Sequence, residues 1–189
     1  MPVDYLSLSA HKLGGPKGVG ALIVRKGVPF APILHGGHQE RGRRGGTENV
    51  AGIIGFGHAA ELARAEIADY AACVSPLRER LETELLARVL GSERNGHVTR
   101  RLVNTTSITF PGIEAEALLL LLDKAGICAS AGSACLADSD EPSHVIRAMK
   151  PHGVAARQMI RFSLGTGTRQ VEVEATINAV QIAIARLQG

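Results

Sequence analysis

With 189 residues, the chain has room for one domain or a little more. Hydrophobic residues make up 45%, but aromatics only 3% with no Trp, so the core must come from Leu, Ile, Val and Ala, and base-stacking platforms for single-stranded nucleic acid are disfavoured. The net charge of +3 is uneven: residues 1–47 hold seven Lys/Arg against two Asp/Glu and the rest 14 against 16, which suits an anionic small ligand or a phosphate better than a long nucleic acid.

In chain order, the first expected element is a buried strand over GVGALIVRK (18–26), ended by Gly27. A Gly-rich basic loop, HGGHQERGRRGG (35–46), follows. Thr47 reads as the N-cap of a long helix to about Ala72, with Glu48 favourable in its first turn. Gly52, Gly55 and Gly57 weaken that helix and imply close packing against another element. Ser75-Pro76 reads as a helix restart, after which Leu77, Leu81, Leu85 and Val89 share one face. LVNTTSITF (102–110) reads as a strand and 114–125 as a helix that Gly126 ends. Ile127–Ser130 reads as a strand, Pro142–Met149 as a short helix and Met159–Leu164 as a strand. The closing helix spans 169–187, with Val173, Ile177, Val180, Ile184 and Leu187 on its core face. From about residue 70 this is a compact α/β domain, a small mixed sheet with helices on one face. Residues 1–46 are expected to hold two strands and no covering helix, like the tail end of a larger domain.

Three cysteines, Cys73, Cys128 and Cys135, are too few and odd in number for a disulfide framework and fit a reducing compartment. No signal peptide precedes Asp4, and the run Leu118–Leu122 is too short to span a bilayer. The expected location is therefore cytoplasmic, with no membrane and no nucleic-acid partner.

Four places carry residues suited to chemistry. Lys12 reads either as a surface lysine before a turn or, with Ser9, His11 and Lys17 close by, as an amine in a cradle for a phosphate-bearing cofactor. Cys135, in SAGSAC (130–135), is either a small loop residue or a nucleophile whose thiolate a neighbour stabilises. Cys128, in an apolar stretch, reads as buried and structural; Cys73 reads as lying at a helix end. Arg161, inside the otherwise apolar MIRFSLG (159–165), needs a partner: a structural carboxylate, or a substrate carboxylate gripped by both prongs. The basic loop with His35, His38, Arg41, Arg43 and Arg44 leads towards a helix N-terminus and suits an anion. Its histidines show no metal-ligand spacing with the cysteines, so no metal is expected. GGPKG lacks the spacing of a nucleotide-binding P-loop.

Taken in order, SAHK (9–12), GPKGVGAL (15–22), HGGHQERGRRGGTEN (35–49), SAGSAC (130–135), EPSHV (141–145) and IRFSLG (160–165) resemble the NifS-type cysteine desulfurases, pyridoxal-phosphate enzymes of the class-V aminotransferase group. The resemblance runs from about residue 4 to about residue 187. It implies the C-terminal part of the fold-type I transferase fold. Residues 1–70 would be the end of the large cofactor domain with a linker helix, and residues 71–189 the small α/β C-terminal domain. Lys12 would be the Schiff-base lysine, with Ser9 and His11 on the cofactor phosphate. Thr47 would reach the phosphate of a neighbouring subunit, implying a homodimer. Cys135 would become a persulfide, and Arg161 would grip the carboxylate of L-cysteine. The products would be L-alanine and sulfur for an iron–sulfur scaffold or another acceptor protein.

The resemblance has departures. Ala131 and Leu136 stand where the family often has small hydroxyl residues. Only 11 residues precede Lys12, whereas the family's aspartate for the pyridine nitrogen and its ring-stacking histidine lie further upstream. The chain thus reads as the C-terminal half of such an enzyme, binding pyridoxal phosphate weakly or not at all by itself, its other half separately encoded or lost. The alternative is a non-catalytic interaction or dimerisation module descended from one.

Overall fold

The computed structural model describes residues 3–132, 143–150 and 155–189. The chain divides into two compact units, Met1–Ala68 and Asp69–Gly189.

In the first unit β1 (Tyr5–Ser9) pairs antiparallel with β2 (Gly20–Val24), from Tyr5 opposite Val24 to Ser9 opposite Gly20. A 3-10 turn, Ala10–Leu13, follows β1 directly and ends at Gly14, whose φ of 79° is left-handed and open to glycine at little cost. The return crossing is tight: a Cβ on Gly20 would lie 2.5 Å from the Leu8 carbonyl oxygen, so a side chain there would force the two strands apart. The strand expected to be buried is instead exposed. Leu22 and Ile23 are 52% and 53% accessible, because among the described residues of this unit the ribbon has two strands and is not covered on both faces.

The basic loop contains one short helical turn, α1 (Gln39–Gly42), in which Glu40 and Arg41 take positive φ of 51° and 58°. Helix α2 runs Val50–Arg88. Its start is capped by Asn49, whose Oδ1 accepts a 3.1 Å hydrogen bond from the Gly52 amide. Thr47, expected as the cap, lies two residues too early. Gly52 leaves room for the Asn49 amide and Gly55 for Pro16, whose Cγ would sit 2.7 Å from an added Cβ; Gly57 faces open space.

The expected break near residues 72–75 does not occur. Pro76 sits inside α2, and Ser75 donates to Glu79 Oε1 at 3.2 Å instead of capping a new helix. An interior proline costs about 3 kcal/mol in a helix that must stand alone. Here Val74, Leu81, Leu85 and Val89 are all buried on either side of it, and that burial offsets the loss.

In the second unit β3 (Glu93–Arg94), β4 (Thr105–Thr109) and β5 (Met159–Ser163) form a sheet in that order. Both pairings are antiparallel, so the sheet described here is not the mixed one expected. Thr106, Ile108 and Phe110 share a face with Ile160, Phe162 and Leu164, as the register of Thr106 with Phe162 and Ile108 with Ile160 requires. That face meets the carboxyl-terminal part of α2, helix α3 (Ala115–Lys124) and helix α5 (Gln170–Gln188) in one core. On α5, Val173, Ile177, Val180 and Ile184 are buried as expected, whereas Leu187 is partly exposed in the last turn. Glu172 Oε2 accepts from the Arg169 amide at 2.8 Å and closes the amino end of α5.

Gly126, with φ 75°, ends α3. The segment after it is not a strand over Ile127–Ser130; only Ser130 bridges to β5. Helix α4 (His144–Met149) starts at Ser143, whose Oγ accepts from the Ile146 amide at 3.4 Å. Ile146, Ala156 and Met159 form a second, small apolar cluster.

Candidate functional site

The first unit places Ser9, His11 and Lys12 within one turn of chain. Ser9 ends β1 and is half-buried; His11 and Lys12 sit in the 3-10 turn and are exposed. The turn is held from behind. The Ala10 amide donates to the Val19 carbonyl at 3.1 Å, the Gly15 amide donates to Ala10 at 2.9 Å, and Ala10 itself is fully buried. A hydroxyl, an imidazole and an amine thus emerge from a rigid corner, a donor set that suits a phosphate. Thr47 is exposed just ahead of α2.

The second unit places Arg161 at the centre of β5. Alternation along the strand puts Ile160 and Phe162 into the helical core and Arg161 on the opposite face, half-buried, across from Ser107. Its polar character is therefore compatible with the apolar run around it. Among the described residues no carboxylate pairs with its guanidinium, and a half-buried arginine without a counter-charge invites an anion.

The backbone of Arg161 is committed on its other edge. Its amide donates to the Ser130 carbonyl at 2.7 Å, and the Ser130 amide donates back to Arg161 at 3.1 Å. Ser130 Oγ then turns onto the following loop, donating to the Gly132 carbonyl at 2.9 Å. The chain therefore leaves for Cys135 from a point fixed against Arg161. Cys135 itself lies outside the described residues. Ser130 was not singled out from the sequence, though it opens the SAGSAC stretch. Cys128 is exposed, against the expectation of burial, because its segment runs along the surface and not in the sheet. Cys73 is also exposed, within α2 and not at a helix end.

A second charged cluster, unforeseen from sequence, is structural. Glu82 is 5% exposed, with Arg101 Nη1 at 2.7 Å, Arg94 Nη1 at 3.0 Å and Arg78 Nη1 at 3.8 Å. The Thr106 hydroxyl donates to it as well. Burial alone would push its carboxyl up; the Thr106, Arg94 and Arg101 contacts together outweigh that and hold it below its ordinary value.

Residues 1–176 match the family described as aminotransferase class-V. The chain belongs to this family. Among curated class-V relatives, a cysteine desulfurase of Trichormus azollae is 52% identical over 187 residues, which cover 99% of this chain and 47% of that protein. A cysteine desulfurase of Gluconacetobacter diazotrophicus is 52% identical over 186 residues, covering 98% and 46%. The chain thus spans about half the length of the curated relatives it matches. Among solved structures, a NifS-like protein superposes with a TM-score of 0.85 at 37% identity, over 98% of this chain and 47% of that one. A NifS-like protein from Rickettsia africae gives 0.85 at 34% identity, over 97% and 48%. The fold is accordingly that of part of a fold-type I transferase. No helix among the described residues is long and apolar enough to cross a membrane.

Proposed function

We propose that the chain is the sulfur-transferring half of a cysteine desulfurase, acting on L-cysteine in the cytoplasm with pyridoxal 5'-phosphate and passing sulfur to an iron–sulfur scaffold or another acceptor protein. The observation that carries this reading is the pairing of Arg161 with Ser130. It holds the backbone of Arg161, whose guanidinium pairs with no carboxylate among the described residues, beside the start of the Cys135 segment, and five residues of chain reach at most about 17 Å from Ser130. A carboxylate clamp and a nucleophile that work on one small amino acid need such a shared origin.

The residues of the first unit fit the cofactor's phosphate end. In this reading Ser9 Oγ and the His11 ring bind the phosphate and Lys12 Nζ anchors the cofactor, all from the turn braced by Ala10. Thr47 Oγ1 serves the phosphate of a second copy in a homodimer. When bound, pyridoxal phosphate supplies an electron sink for charge developing on the substrate's α-carbon. Arg161 orients the substrate by a two-pronged bond to its carboxylate. The Cys135 thiolate attacks the substrate sulfur; as the new S–S bond forms the C–S bond breaks, its electron pair stays on carbon and is protonated, and L-alanine leaves. The residue pairing with the pyridine nitrogen would come from chain outside these 189 residues, so we expect them alone to hold the cofactor weakly and to turn over little.

The test is sulfide release from L-cysteine with pyridoxal phosphate and a reductant, by this chain alone and with the amino-terminal half of the Trichormus azollae relative. Turnover only in the mixture, abolished by Lys12→Ala and by Cys135→Ala, is the expected result. Activity surviving Cys135→Ala would remove that thiol from the mechanism, and strong turnover by the chain alone would refute its incompleteness.

A further inference from the structure

Arg161 has a hydroxyl residue on either side of it. Ser107 stands opposite on β4, and Ser130 bridges from the other edge of β5. The amide and the carbonyl of Arg161 both bond to Ser130, so neither is left for β4. Ser107 and Arg161 are therefore a non-hydrogen-bonded antiparallel pair, the kind that brings side chains closest, with Cβ atoms about 4.5–5.5 Å apart. Alternation along the two strands sends both side chains to the face away from the helical core.

The hydroxyls on this face differ in where their protons go. Ser130 Oγ donates to the Gly132 carbonyl at 2.9 Å, Thr109 Oγ1 to Asn95 Oδ1 at 3.1 Å and Thr105 Oγ1 to Asn104 Oδ1 at 3.2 Å. Ser107 Oγ instead accepts, from Asn95 Nδ2 at 3.2 Å, and among the described residues its own proton has no acceptor. Asn95 is buried and also donates to Thr109 Oγ1 at 3.0 Å, which keeps its amide, and with it the Ser107 oxygen, in place. A guanidinium has no lone pair to offer, so the Ser107 proton finds no acceptor in Arg161. Two donor groups thus stand side by side with no acceptor between them, and an anion with two oxygens satisfies both.

We propose that the Ser107 hydroxyl is a second donor to the carboxylate that Arg161 holds. Arg161 supplies the charge and Ser107 a short, fixed hydrogen bond that sets how the carboxylate lies against β4 and β5. Asn95 keeps the hydroxyl oxygen occupied on its inner side, which leaves the proton for the ligand. The anion site rests on the strand pair alone; that its carboxylate belongs to an α-amino acid rests on the desulfurase reading. Ser163 lies on the same face of β5, but it is exposed and no side chain holds its oxygen, so its hydroxyl is left to water.

The full chain, labelled with nitrogen-15, is titrated with L-alanine, which has the carboxylate and ammonium of L-cysteine but no sulfur to react. Binding is read from the Arg161 Nε–H signal by NMR. We expect that signal to shift and saturate, and Ser107→Ala to raise the apparent Kd about fivefold or more. Ser107→Thr keeps the hydroxyl and should restore the affinity, and Ser163→Ala should leave it unchanged. The backbone amide spectrum of Ser107→Ala, with β4 and β5 still paired, separates lost binding from a lost fold. Equal affinity in Ser107→Ala and the unsubstituted chain overturns the proposal and leaves Arg161 as the clamp. A loss that Ser107→Thr does not restore also overturns it, because the cause is then packing and not the hydroxyl. If Arg161 itself fails to respond to L-alanine, the carboxylate reading of Arg161 falls together with the proposal.

Discussion

Glu82 is the residue on which the second unit's polar interior turns. Three arginines and a threonine hydroxyl converge on it, from α2 itself, β3, β4 and the loop before β4. Removing its charge would leave Arg101 largely buried without a counter-ion and strip Arg94 of its carboxylate, while Arg78 keeps Glu79, so Glu82→Gln should cost about 3 kcal/mol in urea unfolding of the intact chain. The same contacts set an acid limit. Because the folded carboxyl titrates below the unfolded one, its contribution is complete above the ordinary value of 4.5 and is lost as pH falls through the lower, folded value. Wild-type stability should therefore drop below pH 4.5 more steeply than that of Glu82→Gln; equal slopes would show that the cluster does not sense pH. None of this was legible in the sequence. Glu82, Arg94, Arg101 and Thr106 lie far apart in the chain, and charged residues on a helix or loop are solvent-facing by default. Lys12 and Arg161 were legible as candidates for a different reason: each stands beside residues that would be strange company for an ordinary surface charge.

At the scale of elements, periodicity located helices and strands well but misjudged how they end. The Leu81–Leu85–Val89 face and the Val173–Ile177–Val180–Ile184 face are both buried, since each pattern records the burial that shapes it. Ser75-Pro76 reads as a helix start by local chemistry alone, yet α2 passes through it because packing on both sides outweighs one lost hydrogen bond. The start of α2 shows the reverse case, a local contact decided by two residues' difference in position. Asn49 makes the cap, so Asn49→Ala should destabilise α2 by about 0.5–2 kcal/mol, measured by circular dichroism. Thr47→Ala should not destabilise it, which leaves Thr47 available for the ligand role proposed above. Ile127–Ser130 failed as a strand because only Ser130 finds a partner, and pairing over distance is what a local pattern does not contain.

For the whole molecule, the two units differ in how fully each is covered. The sheet of the second unit has a helical layer and a buried core, whereas the ribbon of the first leaves Leu22 and Ile23 about half exposed. Amide exchange should follow this difference, with Leu22 and Ile23 exchanging in the free chain well ahead of Ile108 and Ile160, because local opening is cheapest where little apolar surface is buried. Comparable protection in both sheets would contradict it. The apolar run over 21–24 signalled a buried strand; a strand forms there, but Leu22 and Ile23 on it are about half exposed. Apolar side chains on both faces of so short a ribbon favour self-association, so in concentrated solutions of these 189 residues turbidity should rise first through 5–9 and 20–24, and Leu22→Asp should delay it.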